Sequence, residues 1–443
     1  MIEEAHERGM EFHAWLNPYR AVFDASKFYS KPGHINLDTL KMRLRKWSKN
    51  RKNEDANGLQ QADPLFLQQM GLDTSVILHK KPHWFLEYGN KIYFDPGIPE
   101  ARNYIADVVK EIVRNYDVDA IHMDDYFYPY KIAGLEFPDS TSFKMYGSTY
   151  TRELKDYWRR ENVDGIVSML SQAIKSVKPW VKFGISPFGV WRNVSDDPAG
   201  SQTRAGQTNY DDLYADVLKW QRERWIDYVI PQIYWYRGFE VADYEVLARW
   251  WNDHHYGVHV YIGHGFYRID PNSVIEAWRN PGELSAQIDV LRTLPNIQGS
   301  CFYSSKPMMA NPMGVTDGIA DKFYDLPALV PVMPWLPVEK LSPPATPATK
   351  CRGKRIMIEW EPVKGARYYV VYRFEGKKLT SADDPATISS ICNSSATFFE
   401  DVNIKPNAKY TYGVSAVDRL YNESELSERV TVRWKDLRKK ASF

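Results

Sequence analysis

Short apolar runs that read as strands alternate with longer amphipathic stretches that read as helices, and this alternation limits the fold more than anything else in the chain. The strand runs are Glu11 to Asn17, Ala120 to Asp124, Lys182 to Ser186, Tyr228 to Tyr234, Val258 to Gly263 and Gly299 to Ser304. Helical patterns at Pro99 to Asn115, Thr149 to Val177, Asp211 to Arg224, Tyr244 to His255 and Gly282 to Leu294 follow or intervene. Parallel strands need long crossovers, so the order predicts an α/β domain with a parallel sheet and helical layers. Six strands are visible where a closed (β/α)8 barrel requires eight. The chain opens inside a helical pattern, Ile2 to Arg8, with no capping residue ahead of it. The expectation is therefore a TIM-type barrel over residues 1–326 lacking its first two strands, with exposed sheet edges.

Seven of the 27 prolines fall between Pro327 and Pro347. Such a stretch predicts an extended linker over residues 327–350. Beyond it, short alternating runs separated by turn residues predict a small β-sandwich over 351–434: Arg355 to Trp360, Arg367 to Phe374, Thr387 to Cys392, Lys409 to Val417 and Arg429 to Trp434. The runs "WEPVKGARYYVVYRF" and "YTYGVSAVDRLYNESELSE" carry a Trp in an early strand, a Tyr-rich third strand and a Tyr-x-Tyr strand, and in this they resemble a fibronectin type III module.

Charge and cysteine content narrow the function. With 57 Lys and Arg against 56 Asp and Glu, the net charge of +1 gathers no phosphate backbone, so a nucleic-acid partner is not expected. No apolar run is long enough to span a bilayer. Cys301, Cys351 and Cys392 are too few and scattered for a zinc site or a disulfide framework, although Cys351 and Cys392 would pair if they met. Aromatic residues make up 14%, with 15 Trp and 29 Tyr, the flat amphipathic rings that stack on sugars and equally fill larger cores.

In a parallel barrel the functional groups stand at the carboxyl ends of the strands. Alternation along Ala120-Ile-His-Met-Asp turns Ile121 and Met123 toward the helices, and His122 and Asp124 toward the axis. Asp124 ends that strand and Asp125 begins the loop Tyr126-Phe-Tyr-Pro-Tyr130. Adjacent carboxyls beside aromatic rings have their titrations driven apart, so that one serves as proton donor while the other stays ionised. The alternative for Asp125 is a cap on the loop's backbone NH groups. His13, Trp15 and Asn17 share a face of the first strand; His13 reads as a core histidine, whereas Asn17 and Arg20, at the mouth, suit substrate hydroxyls or carboxylates. Trp191 and Arg192 follow the third strand, and Gln232, Tyr234 and Trp235 end the fourth. His264 and Tyr267 follow the fifth, and Ser304, Ser305 and Lys306 the sixth. Their shared position at strand ends suggests a cleft for a polyhydroxylated ligand.

Other constellations carry less. The basic run Lys41 to Lys52 reads as a solvated insertion. His79 and His83 are four apart but flank Pro82 and lack a neighbouring Glu, so no metal site is expected. No glycine-rich phosphate loop and no Gly-x-Ser-x-Gly elbow is present, and no cofactor is expected.

The runs "EEAHERGMEFHAWLNPYR", "DPGIPEARNYIADVVKEIVRNYDVDAIHMDDYFYPY", "GISPFGVWRN", "DYVIPQIYW", "VYIGHGFYR" and "GSCFYSSK" resemble the bacterial glycosyl-hydrolase-like family ten. The resemblance implies a TIM-type barrel acting on cell-envelope glycans, with peptidoglycan strands among them, and often a fibronectin-like domain behind it. It implies a lipoprotein or secretory signal and an envelope location for the full-length form. It carries over Asp124 and Asp125 as the acidic pair, with Asn17, Arg20, Trp191, Arg192, Gln232, Tyr234 and Trp235 lining the cleft. Asp95, in Asp-Pro-Gly, is a further rim candidate and reads rather as a helix cap ahead of Ile98 to Asn115. The expected activity is glycoside hydrolysis by paired carboxyl groups, with Asp196 or Asp197 as alternative second carboxylates. The rival is a non-catalytic glycan-binding or adhesion protein, which needs the aromatic rings but not the acids.

Overall fold

The computed structural model describes residues 1–49, 62–337, 340–375, 384–405 and 407–433. In chain order the first nine strands are β1 (His13–Leu16), β2 (Arg20–Val22), β3 (Phe85–Tyr88), β4 (Lys91–Phe94), β5 (Ala120–Met123), β6 (Lys182–Ile185), β7 (Tyr228–Val229), β8 (His259–His264) and β9 (Ile297–Phe302). Six of them form one sheet in the order β1-β5-β6-β7-β8-β9. Every neighbouring pair is parallel. Among the described residues β1 and β9 are the two edges of this sheet.

Side-chain alternation places the layers. In β5, Ile121 and Met123 are fully buried in the main apolar cluster, together with Val109 and Val113 of helix Pro99–Asn115 and Ile166, Leu170 and Ile174 of helix Lys155–Val177. His122 lies on the opposite face, where it meets Tyr228 of β7. Two elements are shorter than the sequence pattern suggests. The run Tyr228 to Tyr234 yields a two-residue strand, because Pro231 has no N–H to continue the ladder. Gln232 then rejoins through single bridges to Phe188 and Gly263. The helical run Asp211 to Arg224 splits into Asn209–Asp212 and Val217–Arg222 around Tyr214, whose φ of 55° no α-helix accommodates.

A second, antiparallel sheet β2-β4-β3 stands beside the mouth and was not anticipated. Its hairpin turns through Gly89 and Asn90, at φ 57° and 58°, the paired left-handed residues that a tight hairpin favours. The helix Leu37–Lys49 contains the start of the basic run, and its Lys41 Nζ donates to the Phe85 carbonyl at 2.7 Å. Residues 50–52 of that run lie outside the described residues.

The C-terminal strands are β10 (Ala348–Arg352), β11 (Arg355–Glu359), β12 (Tyr368–Glu375), β13 (Ile388–Asn393), β14 (Phe398–Asp401), β15 (Lys409–Val417) and β16 (Val430–Arg433). They pair as β10-β11-β14 and β13-β12-β15-β16, a fibronectin type III-like arrangement around Ile356, Ile358, Trp360, Tyr369, Tyr410 and Tyr412. The sequence pattern missed β10 and β14, and β10 starts inside the stretch assigned to the linker. Cys351 and Cys392 are free and stand in different sheets.

The proline-rich stretch does not hang free. Met333 and Leu336 pack with Leu420 of the sandwich against Ala120 and Tyr228, at the amino ends of the parallel strands. Trp335 Nε1 donates to Asp227 Oδ1 at 2.9 Å, and Arg419 pairs with Asp117. The sandwich and its strap thus close the end of the sheet opposite the strand-end loops.

Candidate active site

Polar groups fill the interior beneath those loops and pair with one another. Lys182 pairs with Glu11, whose other oxygen meets His13 Nε2 at 2.8 Å. His13 Nδ1 and His122 Nδ1 both reach the Tyr228 hydroxyl, at 2.8 and 3.1 Å, and His122 Nε2 reaches Ser186 Oγ at 3.0 Å. Burial, with the nearby charge of His13, pushes His122 down to about 3, so its ring is neutral. Gly184 makes room for this column, since a Cβ there would stand 2.0 Å from the Tyr228 ring. His122 and His13 are thus fixed by protein groups below the mouth.

The acidic pair sits directly above. Asp124 Oδ1 accepts from Gln232 Nε2 at 3.1 Å and from the Asp125 N–H at 2.9 Å. Gln232 Nε2 also donates to the Ser186 carbonyl at 2.8 Å, tying Asp124 to the column beneath. Asp125 is 3% exposed and accepts a short hydrogen bond from the Tyr130 hydroxyl. Burial, reinforced by the negative charge of Asp124 and only partly offset by Tyr130, pushes Asp125 up to about 8. Near neutral pH this places a protonated carboxylic acid beside a second carboxyl group, the division of labour that proton transfer to a leaving group requires.

Aromatic rings surround the pair. Tyr126 lies under the Arg20 guanidinium at 4.1 Å and edge-on to Tyr130 at 5.7 Å. Tyr130 meets Phe188, which meets Trp235 at 5.4 Å. Across the mouth, Tyr234 stacks on Tyr303 at 6.0 Å, and Tyr267 stands edge-on to both. Tyr267 and Tyr303 are 46% and 59% exposed, so this wall faces solvent rather than core. The Asn17 side-chain oxygen accepts from the Arg20 backbone N–H at 3.2 Å, which fixes the turn that presents Arg20.

Other candidates lie elsewhere. His264 is fully buried between Gln287 and Ser300, 2.9 and 3.0 Å away, and burial pushes it down to about 4. Trp191 is 6% exposed and stacks on Trp250. Arg192 is held bidentately by Asp211 and again by Asp197, at 2.9 Å each. Asp197 is thereby committed to an ion pair, while Asp196 accepts from Asn193 at 3.1 Å. Ser304 precedes helix Ser305–Ala310, on which Lys306 is exposed. Asp95 caps its own Asp-Pro-Gly turn through the Gly97 N–H at 2.9 Å, and the following helix has no side-chain cap. His79 is buried on Asp73 and His34. Among the described residues no group of three or more His, Cys, Asp or Glu side chains is placed to hold a metal.

The sequence pattern passed over Tyr130, Phe188 and Tyr303 as contributors. Tyr130 was visible in the loop after Asp125, but nothing in the spacing says that the chain turns back to reach the acid. Tyr303 precedes the Ser-Ser-Lys run and carried a usable signal: its place at a strand end.

An acidic pair at a parallel strand end, with half-buried and exposed aromatic side chains around it, characterises this α/β protein. The chain belongs to the glycosyl hydrolase-like 10 family, whose model matches residues 1–280. It is 42% identical to "Glycosyl hydrolase YngK" of Bacillus subtilis (strain 168), over 97% of this chain and 77% of that protein. It is 36% identical to "Glycosyl hydrolase DigH" of Escherichia coli (strain K12), over 68% of this chain and 62% of that protein. Among solved structures, an Fn3-like protein from Clostridium thermocellum is similar over 22% of this chain and 98% of its own, at 23% identity and a TM-score of 0.18.

Proposed function

We propose that the protein hydrolyses glycosidic bonds in a cell-envelope glycan, with peptidoglycan strands as substrate. The observation that carries the reading is Asp125: a buried carboxyl held in its acid form beside Asp124, at the mouth of a cleft walled by Tyr126, Tyr234, Tyr267 and Tyr303. Asp125 donates its proton to the leaving glycosidic oxygen, while Asp124 acts on the sugar as nucleophile or as base for water. Gln232 holds Asp124 in position, and the aromatic walls stack on the sugar rings to either side. A binding protein would need the walls but would gain nothing from a carboxylic acid kept protonated by burial, which favours hydrolysis over adhesion.

The same reading takes the six-stranded sheet as part of a glycosidase barrel and the cell envelope as the place where the protein acts. The barrel is what the family to which residues 1–280 belong implies. The test is incubation of the chain with peptide-free peptidoglycan strands, reading new reducing ends and product masses, with and without a chelator. Chain cleavage that survives chelation is expected. Tight binding with no products would leave the adhesion reading, and activity abolished by the chelator would replace carboxyl catalysis with metal-dependent hydrolysis.

A further inference from the structure

We propose that Tyr130 is a positioning residue for the proton donor: its hydroxyl reserves Oδ2 of Asp125, so that the proton to be delivered sits on Oδ1, and it steadies the carboxylate left behind. The inference rests on the reading of Asp125 as the acid of a glycan-cleaving pair and gives a part in it to a side chain outside that pair.

The loop after β5 is built to bring Tyr130 back to the acid. Phe127 and Tyr128 are buried in the core, Phe127 edge-on to Trp220 and Tyr128 edge-on to Phe137 and Tyr214. Pro129, with its fixed φ, follows at once. Beyond Tyr130 the Ile132 N–H donates to the Tyr88 hydroxyl at 2.8 Å, and that hydroxyl donates to the Leu135 carbonyl at 2.9 Å. The loop is thus tied on both sides of Tyr130. Its ring stands edge-on to Tyr126 and Phe188, and its hydroxyl donates to Asp125 Oδ2, five residues back. The charged and titratable groups facing this contact are few. Asp124 is the neighbouring carboxyl, Tyr126 and Tyr234 are phenols that burial keeps unionised, and Arg20 lies over the Tyr126 ring.

A donor on Oδ2 makes that atom the carbonyl oxygen of the protonated acid, which leaves Oδ1 to carry the hydrogen. In the transfer the O–H bond at Oδ1 breaks, its proton bonds to the leaving glycosidic oxygen, and its electron pair stays on the carboxylate, shared with Oδ2. Asp125 then becomes a second buried anion beside Asp124, a like-charge arrangement that works against proton release. A hydrogen bond to a carboxylate is roughly twice as strong as one to a neutral group, so the Tyr130 bond tightens as the proton departs. It offsets part of the cost where the charge develops. Tyr130 keeps its own proton throughout, because burial, and then the charge of Asp125, hold its ionisation far above the usual phenol range.

The test is Tyr130→Phe, which keeps the ring against Tyr126 and Phe188 and removes the donor. In profiles of kcat/KM against pH on peptide-free glycan strands, the alkaline limb should move up by about one unit and the plateau fall by about tenfold, since a donor favouring the ionised acid is gone. Incorporation of 3-fluorotyrosine at position 130, a stronger donor in an unchanged frame, should move the limb down. A purely structural role for Tyr130 would lower Tm and leave the limb in place. Tm read against pH tests the same contact without turnover: the decline that ends near pH 8 in the wild type should end about one unit higher in Tyr130→Phe. Cleavage with an unmoved limb in both altered chains overturns this inference and leaves the hydrolase reading standing. No cleavage by the wild-type chain overturns the hydrolase reading, and the Tm decline then decides by itself whether Tyr130 holds the ionised acid: displaced, the contact stands, and unmoved, it falls.

Discussion

The Gln232 side chain donates through one nitrogen to Asp124 Oδ1 at 3.1 Å and to the Ser186 carbonyl at 2.8 Å, so a residue beyond β7 fixes the carboxyl group at the end of β5. Gly189 permits this approach, because a Cβ there would come within 2.7 Å of the Gln232 carbonyl. Replacing Gln232 with Ala should reduce kcat by about 10- to 100-fold through loss of a positioning hydrogen bond, with a smaller effect on KM. Steady-state kinetics on glycan strands give the split; a change confined to KM would assign Gln232 to substrate binding instead.

Asp125 gives the protein a pH signature. Burial first, and then the charge of Asp124, raise its folded value to about 8, above the ~4 of an unfolded aspartate. The stabilising contribution of the protonated form is complete below about pH 4 and is lost as pH rises through about 8. Activity depending on the acid form should fall over the upper part of that window. Asp125→Asn should abolish cleavage and flatten the decline in Tm between about pH 4 and about pH 8; a decline that is unchanged in the variant would place its origin elsewhere.

Gly184 and Tyr228 share space inside the sheet, and Gly184→Ala would bring a methyl group to 2.0 Å from the ring. A destabilisation of about 1–3 kcal/mol, typical of overpacking, is expected. Combining it with Tyr228→Leu should be less damaging than the sum of the two separate changes. Denaturant unfolding of the four proteins closes the cycle, and strict additivity would contradict the packing described.

The strap and sandwich should unfold together with the parallel sheet. Trp335→Ala removes the hydrogen bond to Asp227 and the edge contact with His259 at 5.2 Å, and should lower stability by about 1–3 kcal/mol, less than for a fully buried Trp. Calorimetry of the unaltered chain should show one transition; two well-separated transitions would mean that the sandwich is an independent module.

The parallel strands were legible because each is a short apolar run whose period turns one face to the helices, as Ile121 and Met123 do. The hairpin around Gly89 and Asn90 carries a turn signal, but its strands Phe85–Tyr88 and Lys91–Phe94 are short and do not bury alternate residues, so no period-2 pattern marks them. The place of Asp124 at a strand end and of Asp125 at the start of the following loop is readable from the pattern, and the structure sets the two side by side. What sequence could not say is which polar side chains have spent their hydrogen bonds within the protein. His122, His264 and Arg192 look like ligand contacts by type and place, yet Tyr228, Gln287 and Asp211 occupy them. Conversely, Tyr303 gains weight because the folded chain leaves it exposed.

The most direct test of the account is the rate at which Asp124→Asn cleaves peptide-free glycan strands, measured beside the wild-type chain and with a Tm confirming an intact fold. Loss of about 10³-fold or more is expected when the group that attacks the sugar or activates water is removed. Undiminished cleavage by a folded Asp124→Asn protein would contradict it.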